Sequence, residues 1–391
     1  MEQKLAVFNN PLILEKIFQF LNAYDLSSCS QVCSIWYKIS AAEKKRRTDI
    51  AWIFSVGPCP DRRFELKHMK SCGSTEHGEV ENSTFEQLEN LQSEPVFCTA
   101  FMTTSLFEKI HKFFPSFGDT ERTVKRFKPC GSITRRKYLN SVMDVVFKSF
   151  LPKRCKMAFT VSAGIIGCKT DCVPLEVENG PAVAGFFIPE IPGVEVNHYA
   201  ISGKKSSLAE FVSKNAPVKC LLLFLTSRGV SIANKLVRSC CPEEEDINMA
   251  VGGAIVERTN SLLGSATAFC GPNVEAASVI INAYDRIEEI TAKLEVFRES
   301  GLLKNKCFAY MFACIGRGYC FHEEHNVESE IFSKMYPKVP IIGVFGEGEI
   351  GVNYIPNVIL ENKKLKAGKF KTTKRFLHSY TTIFVLISIK M

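Results

Sequence analysis

Residues 306–351 constrain this chain more than any other stretch, because they hold two apolar runs that each end in a cluster of glycines. The first, Lys306-Cys307-Phe308-Ala309-Tyr310-Met311-Phe312-Ala313-Cys314, shows no polar–apolar alternation. A run of that length without alternation predicts one strand buried on both faces. It stops at Gly316-Arg317-Gly318, where the missing Cβ lets the backbone turn tightly. Val327, Ile331 and Met335 then recur at four-residue steps ahead of Pro337, which predicts a helix with that stripe turned inward. Val339 to Phe345 predicts a second buried strand, closed by Gly346-Glu347-Gly348-Glu349-Ile350-Gly351. Strand, glycine turn, helix and strand imply a sheet core with a rim of small residues.

A chain of 391 residues has room for two or three units at about 150 residues each. Its composition, 46% hydrophobic and 23% charged, is that of a folded globular protein. The net charge of +8 gathers largely at 44–47, 125–137 and 363–375. Sixteen cysteines stand singly or without C-x-x-C spacing, which gives zinc ribbons and thioredoxin motifs no support. Free thiols, no secretory h-region and apolar runs well short of the ~20 residues that span a bilayer predict a reducing compartment, cytoplasmic and/or nuclear. Lys125-Arg126 and Arg135-Arg136-Lys137 make a nuclear import signal the alternative to a solvated loop.

Near the N-terminus, Pro11, Ile13, Leu14, Ile17, Phe18 and Leu21 are spaced for one apolar helical face, with Pro11 in the first turn. Asp25 or Ser27 is placed to cap a second helix carrying Leu26, Cys29, Val32, Cys33 and Trp36. A segment this short cannot close a firm core alone, so its apolar excess needs cover from the rest of the chain or from a partner. Ile13-Leu14, Lys16-Ile17-Phe18, Phe20-Leu21, Asp25-Leu26, Val32-Cys33, Trp36 and, downstream, Trp52 together resemble the F-box family. Asn9-Asn10-Pro11-Leu12 stands where that family shows Leu-Pro-x-Glu. The resemblance implies docking onto the Skp-type adaptor of a cullin ubiquitin ligase through Pro11, Ile13, Leu14, Ile17, Phe18, Leu21, Leu26, Val32, Cys33 and Trp36.

Residues 57–94 read as a loop-rich connection, and 96–114 are apolar enough for a buried strand or helix. A helix is predicted over 138–150, strands over 156–166, 183–188 and 219–225, and a short helix over 231–237. Past a boundary near 242–248 come strands over 250–256, 266–270 and 274–283. The helix Asp285 to Ser300 carries the stripe Ile287, Ile290, Leu294 and Phe297, with Gly301 placed as its C-terminal cap. Residues 354–360 and 382–389 close the pattern. The alternation favours α+β, with mixed or largely parallel sheets.

The glycines Gly346-x-Gly348-x-x-Gly351 match a dinucleotide fingerprint, but Val352, Tyr354, Ile355 and Pro356 favour extended chain, so no helix N-terminus would meet a phosphate. Glu347 and Glu349 are candidates to pair with Arg317 or His378, or to accept from a cationic ligand. Cys314 precedes Arg317, whose guanidinium would lower the thiol pKa and make it the most electrophile-sensitive cysteine; a buried inert thiol is the alternative. Cys320, His322 and His325, with Glu323 and Glu324, lack the spacing of a metal site. The basic run 363–375 reads as a charged hairpin loop, with nucleic-acid contact the minority reading.

Phe312-Ala313-Cys314-Ile315-Gly316-Arg317-Gly318, Phe345 to Gly351 and His378-Ser379-Tyr380-Thr381-Thr382 together resemble the FIST domain family, over roughly residues 55 to 391. An F-box ahead of a FIST domain implies a two-part αββα scaffold. In bacteria that scaffold is proposed to sense small ligands such as amino acids; here it would hold a protein substrate. The expectation is an F-box over 8–54 and FIST parts over 55–247 and 248–391, with substrate or ligand candidates Cys314, Arg317, Glu347, Glu349 and His378. Such a chain would be a non-catalytic substrate-recognition subunit of a Skp–cullin–F-box ligase, directing a protein to ubiquitination and proteasomal degradation. Its expected partners are the adaptor, the cullin scaffold, the substrate and a small ligand, with no cofactor, metal or membrane. The alternatives are a small-ligand sensor using the FIST pocket and a thiol enzyme built on Cys314.

Overall fold

A computed structural model describes residues 10–56, 84–113, 151–201, 217–240, 247–356 and 376–390. The helix expected over 138–150, both basic runs beyond residue 117, and residues 357–360 lie outside the described residues.

Three short helices come first: Pro11–Phe18, Ala23–Cys29 and Ser34–Arg46. Asn10 caps the first, its side-chain oxygen accepting from the Leu12 N–H at 3.0 Å, and Pro11 takes the first turn, where a missing N–H costs nothing. The one helix expected through Leu26 and Trp36 is two. It stops at Cys29, and Ser30 to Val32 form a turn before Cys33 opens the next. Asn22, rather than Asp25 or Ser27, is the cap: its side chain accepts from the Asp25 N–H at 2.7 Å. Leu14, Phe18, Leu26 and Ile39 bury a small core, with the Trp36 ring edge-on to Phe18 at 5.3 Å.

Three sheets follow. One runs Ala51–Val56, Ala182–Pro189, Pro95–Thr103, Lys156–Ser162, Arg258–Thr259. The second runs Leu377–His378, Gly348–Ile350, Ala250–Ile255, Val218–Leu225, Gly264–Cys270, Glu195–Ile201. The third runs Val274–Ile281, Thr382–Ile389, Lys306–Cys314, Ile341–Gly346, Gly164–Cys168, Pro174–Val177. Each contains one parallel pair, and every other pairing is antiparallel, so the sheets are mixed and not largely parallel. All three sheets take strands from both sides of residue 247. Trp52, part of the N-terminal resemblance, sits in the first strand beside Phe186 and not among the helices.

Lys306–Cys314 is buried on both faces, as its unbroken apolar sequence requires. Phe308, Tyr310 and Phe312 point to one core shared by all three sheets; Ala309, Met311 and Ala313 point to another beneath the helices Ile287–Glu299 and Val327–Met335. In the shared core, Tyr310 lies 5.4 Å from Phe186, Phe312 5.7 Å from Phe224, and Phe308 6.0 Å from Phe269, mostly edge to face. The sheets approach closely there: a Cβ on Gly252 would fall 2.3 Å from Val385 and 2.7 Å from Phe312. The helices Thr84–Glu89 and Thr104–Phe113 cover the outer face of the first sheet, and Ala233–Ser239 that of the second. The architecture is thus helices, two sheets side by side, a third sheet, and helices again.

The helical unit is fastened to this body chiefly by Arg47. Its Nη1 donates to the carbonyls of Leu21 at 2.6 Å and Gln92 at 2.7 Å, and its Nη2 to those of Phe18 at 2.9 Å and Gln19 at 3.1 Å. One guanidinium thereby satisfies the open C-terminal end of the first helix and ties it to the segment before Pro95. The Ala23 N–H to Leu91 carbonyl bond at 2.8 Å and the Lys44–Glu94 ion pair at 2.7 Å add to the joint.

Tyr310 is fully buried, and its hydroxyl meets Thr99 Oγ1 at 3.1 Å across the sheet interface. Tyr310→Phe leaves the Thr99 hydroxyl buried without that partner and should cost about 1–2 kcal/mol. Phe308→Ala opens a cavity and should cost about 3–5 kcal/mol. Chemical denaturation measures both, and a larger loss for Tyr310→Phe would contradict the packing described.

Candidate functional site

The first site is the outward side of the N-terminal helices. Of the ten residues expected to contact an adaptor, Leu14, Phe18 and Leu26 are interior, 1%, 1% and 0% exposed, and hold the helices together instead. A single apolar face was expected. The face is split because helices this short must place part of their stripe inward to cohere at all. Pro11, Ile13, Ile17, Val32 and Cys33 are exposed, and Leu21 and Trp36 are half-buried. Leu12, 71% exposed, and Phe20, 86%, were not among the expected adaptor contacts, nor were Tyr24, Ile35 and Tyr37. Two adjacent apolar residues at several steps, Leu12-Ile13 among them, are the signal for a helix with more apolar surface than one face can hide.

The second site is the rim where Lys306–Cys314 and Ile341–Gly346 end. The Arg317 N–H returns to the Cys314 carbonyl at 2.8 Å, and the Ile315 N–H reaches Gly346 at 2.8 Å, closing the turn onto the neighbouring strand. Arg317 points inward and is 1% exposed. Its Nε donates to Glu328 Oε1 at 2.9 Å, and Nη2 donates to the same oxygen. Nη1 donates to the carbonyls of Asn282 at 2.9 Å, Ala283 at 3.1 Å and Tyr380 at 3.4 Å. Its ring contact with Phe321, at 4.5 Å, covers one face of the guanidinium. Arg317 is therefore an internal staple between loops and is not open to a ligand.

Glu328 was not anticipated. The helix Val327–Met335 is rotated from the expected stripe, so that Glu328, Phe332 and Tyr336 are buried while Val327, Ile331 and Met335 are only partly so. Burial alone would raise the Glu328 carboxyl, but the hydrogen bond from His322 and the charge and hydrogen bonds of Arg317 bring it below its ordinary value. His322 Nε2 lies 3.3 Å from Glu328 Oε1, and His325 Nδ1 3.6 Å from Glu178, so the two histidines turn to different carboxylates while Cys320 is exposed. At Gly318 a Cβ would stand 2.3 Å from the Glu178 carboxyl carbon and displace that side chain, whose Oε1 accepts from the Tyr319 N–H at 2.8 Å.

Glu349 does not pair with Arg317 or His378. Its Oε2 accepts from the Thr381 N–H at 3.0 Å and the Thr381 hydroxyl at 2.8 Å. His378 Nε2 contacts the Gly351 carbonyl at 3.0 Å. Glu349 is 0% exposed, and burial pushes its carboxyl up to about 7, against the two Thr381 hydrogen bonds. The Cys314 thiol lies against the same carboxyl, and it too is raised, by burial first and by the Glu349 charge. The expected lowering by Arg317 fails because that guanidinium is committed to Glu328. Of the five pocket candidates, the structure gathers Cys314, Arg317 and Glu349 into a sealed polar cluster, leaves Glu347 exposed, and sets His378 on the adjoining strand.

Two family models match separate segments of the chain. The FIST C domain matches residues 209–352, and the F-box-like family matches residues 11–44. The two matches lie in one chain, the F-box-like one N-terminal to the FIST C one. It is 24% identical to "F-box only protein 22" of Homo sapiens, over 96% of this chain and 92% of that protein. The protein of the same name in Pongo abelii is 25% identical over the same shares, 96% and 92%. An F-box/LRR-repeat protein of Arabidopsis thaliana is 35% identical over 21% of this chain and 14% of its own length. Among solved structures, cyanuric acid hydrolase from A. caulinodans aligns with 75% of this chain and 90% of its own at 10% identity, with a TM-score of 0.32, too loose a likeness to transfer a site. The F-box-like match spans the three N-terminal helices, and the FIST C match contains Arg317, Glu328 and Glu349.

Glu349 gives a pH test. Its folded value near 7 lies above the unfolded carboxyl value of about 4.3. The group therefore contributes stability that is full below about 4.3 and is lost as pH rises through 7, at up to about 1.4 kcal/mol per pH unit. Glu349→Gln keeps an acceptor for Thr381 and removes the titration. Its stability relative to the parent should rise with pH across that window, measured by chemical denaturation; a difference independent of pH would contradict the buried, protonated carboxyl.

Proposed function

We propose that this chain is the substrate-recognition subunit of a Skp–cullin–F-box ubiquitin ligase. The F-box-like segment, within residues 8–54, docks on a Skp-type adaptor, which joins it to the cullin scaffold. The remainder, 55–247 and 248–391 along the sequence, holds a protein substrate for ubiquitination and proteasomal degradation. The observation that carries this reading is the split character of the three helices. They keep Leu14, Phe18, Leu26 and Ile39 inside, yet display Leu12, Ile13, Ile17, Phe20, Val32 and Ile35 to solvent although a large apolar body stands next to them. Exposed apolar side chains in that number on so small a unit mark a surface made to be covered by another protein.

The mechanism is proximity. A substrate lysine held beside a charged conjugating enzyme experiences a high effective concentration, and a preorganised geometry converts a bimolecular encounter into a nearly unimolecular one. The tie through Arg47 supports this, since the docking unit and the sheets are held in one fixed relation. On this reading the chain makes and breaks no bonds itself, and its place of work is the cytoplasm or nucleus. Among the described residues no helix is long and apolar enough to cross a membrane.

Ile13→Asp with Ile17→Asp places two charges on the exposed side without touching the small core. Recovery of a Skp-type adaptor with the purified chain should fall about 30-fold or more, equivalent to about 2 kcal/mol, with the melting temperature unchanged. Undiminished recovery would overturn the proposal.

A further inference from the structure

The turn beyond Cys314 carries a surface that neither the staple of Arg317 nor the docking helices explain. Tyr284 is 91% exposed, Tyr380 64%, Tyr319 50%, Ile315 48% and Phe321 42%. They belong to three separate segments, one of them the single helical turn Tyr319–His322, and one buried side chain brings the three together: Arg317 binds the carbonyls of Ala283 and Tyr380 and lies against the Phe321 ring. The Tyr380 ring lies over Gly316, where an added Cβ would come within 3.3 Å of it, and Tyr319 stacks on His325 at 4.7 Å. The backbone here is held against its preference. Among the described residues four non-glycine residues have positive φ, and three of them are Glu323 at 55°, Asn326 at 64° and Tyr380 at 58°. Such conformations persist where the surroundings over-determine them.

The charge around this surface is acidic although the chain as a whole is +8. Glu323, Glu324 and Glu347 are exposed at its edge, and Glu178 stands beneath it beside His325. Arg317 is buried and neutralised by Glu328, which leaves Arg286, exposed two residues past Tyr284, as the guanidinium facing solvent near the three carboxylates. Aromatic faces beside free carboxylates suit Lys and Arg side chains twice over, through the ring quadrupole and through ion pairing, and tyrosines anchor apolar side chains at low entropic cost.

We propose that this aromatic, carboxylate-edged platform receives a Lys/Arg-rich segment of the substrate protein that carries a bulky apolar anchor. The proposal rests on the substrate-receptor reading and names the surface that reading leaves open. Arg317 acts as its positioning residue, since it fixes the three chain segments from below without touching the bound segment.

The test uses the full chain bound to a Skp-type adaptor and two fluorescein-labelled probes read by anisotropy: a short peptide of Lys, Gly and Phe, and the same peptide with Glu in place of Lys. The Lys peptide should bind at least about tenfold more tightly than the Glu peptide, and more weakly as salt is raised. Tyr284→Ser with Tyr380→Asn, the asparagine chosen because it tolerates positive φ, should weaken it about tenfold or more. Glu323→Lys with Glu324→Lys should remove the preference between the two peptides. Equal binding of both peptides by the parent, or unchanged affinity in these variants, would overturn the proposal. So would a self-associated chain that the Tyr284→Ser/Tyr380→Asn variant returns to monomer by sedimentation, because a second copy would then be the occupant. Adaptor recovery is measured in the same samples. Failure with adaptor retained sinks the platform alone, whereas failure of the parent chain to hold adaptor sinks the receptor reading.

Discussion

The three sheets are brought together by the aromatic face of one strand. Phe308, Tyr310 and Phe312 are the side on which three sheets converge, with Phe101 and Phe186 from the first, Phe224 and Phe269 from the second. Aromatic rings bury large apolar areas and prefer edge-to-face geometry, so the convergence fixes the mutual angle of the sheets as well as stabilising them. The same strand runs out at Cys314, and the turn that follows must open at the rim of that core. The position of Arg317, and through it of the segments bearing Tyr284, Phe321 and Tyr380, is a consequence of where the aromatic face ends.

At the other end of the chain the constraint is insufficiency. Three short helices with four buried apolar side chains cannot make a core that stands alone. They persist because Arg47 closes the first helix and binds Gln92 in the same motion, with Lys44 to Glu94 and Lys306 to Asp49 beside it. The apolar residues left outward face solvent, and the helices that bear them are tied to the body at several points. A receptor that works by holding one protein near another requires both properties.

Much of this was legible in the sequence. An unbroken apolar run such as 306–314 reads as a doubly buried strand because nothing in it can face water, and Gly301 reads as a cap because its φ of 71° is one glycine adopts readily. A helix was expected through Val327, Ile331 and Met335 and is there, but its buried face was not foreseen. Hydrophobic spacing assigns a glutamate outward, and only the buried guanidinium of Arg317, which comes from a different turn, brings Glu328 inward. The break at Ser30 to Cys33 escaped for a related reason: Leu26, Cys29, Val32 and Trp36 keep helical spacing across it, and periodicity does not register a turn that preserves phase. The pocket candidates were brought together in part, yet sequence could not foresee that burial would raise Cys314 and Glu349 when a cation sits so near them.

The central claim is that Leu12, Ile17, Phe20 and Ile35 are open in the free chain and covered in the complex. Hydroxyl-radical footprinting of the full chain, with and without a Skp-type adaptor, reads this side chain by side chain. Strong labelling of those four in the free chain, lost when the adaptor is added while Tyr284 and Tyr380 stay labelled, is the result expected. Protection of the four before any partner is present, or labelling that the adaptor leaves unchanged, would contradict it.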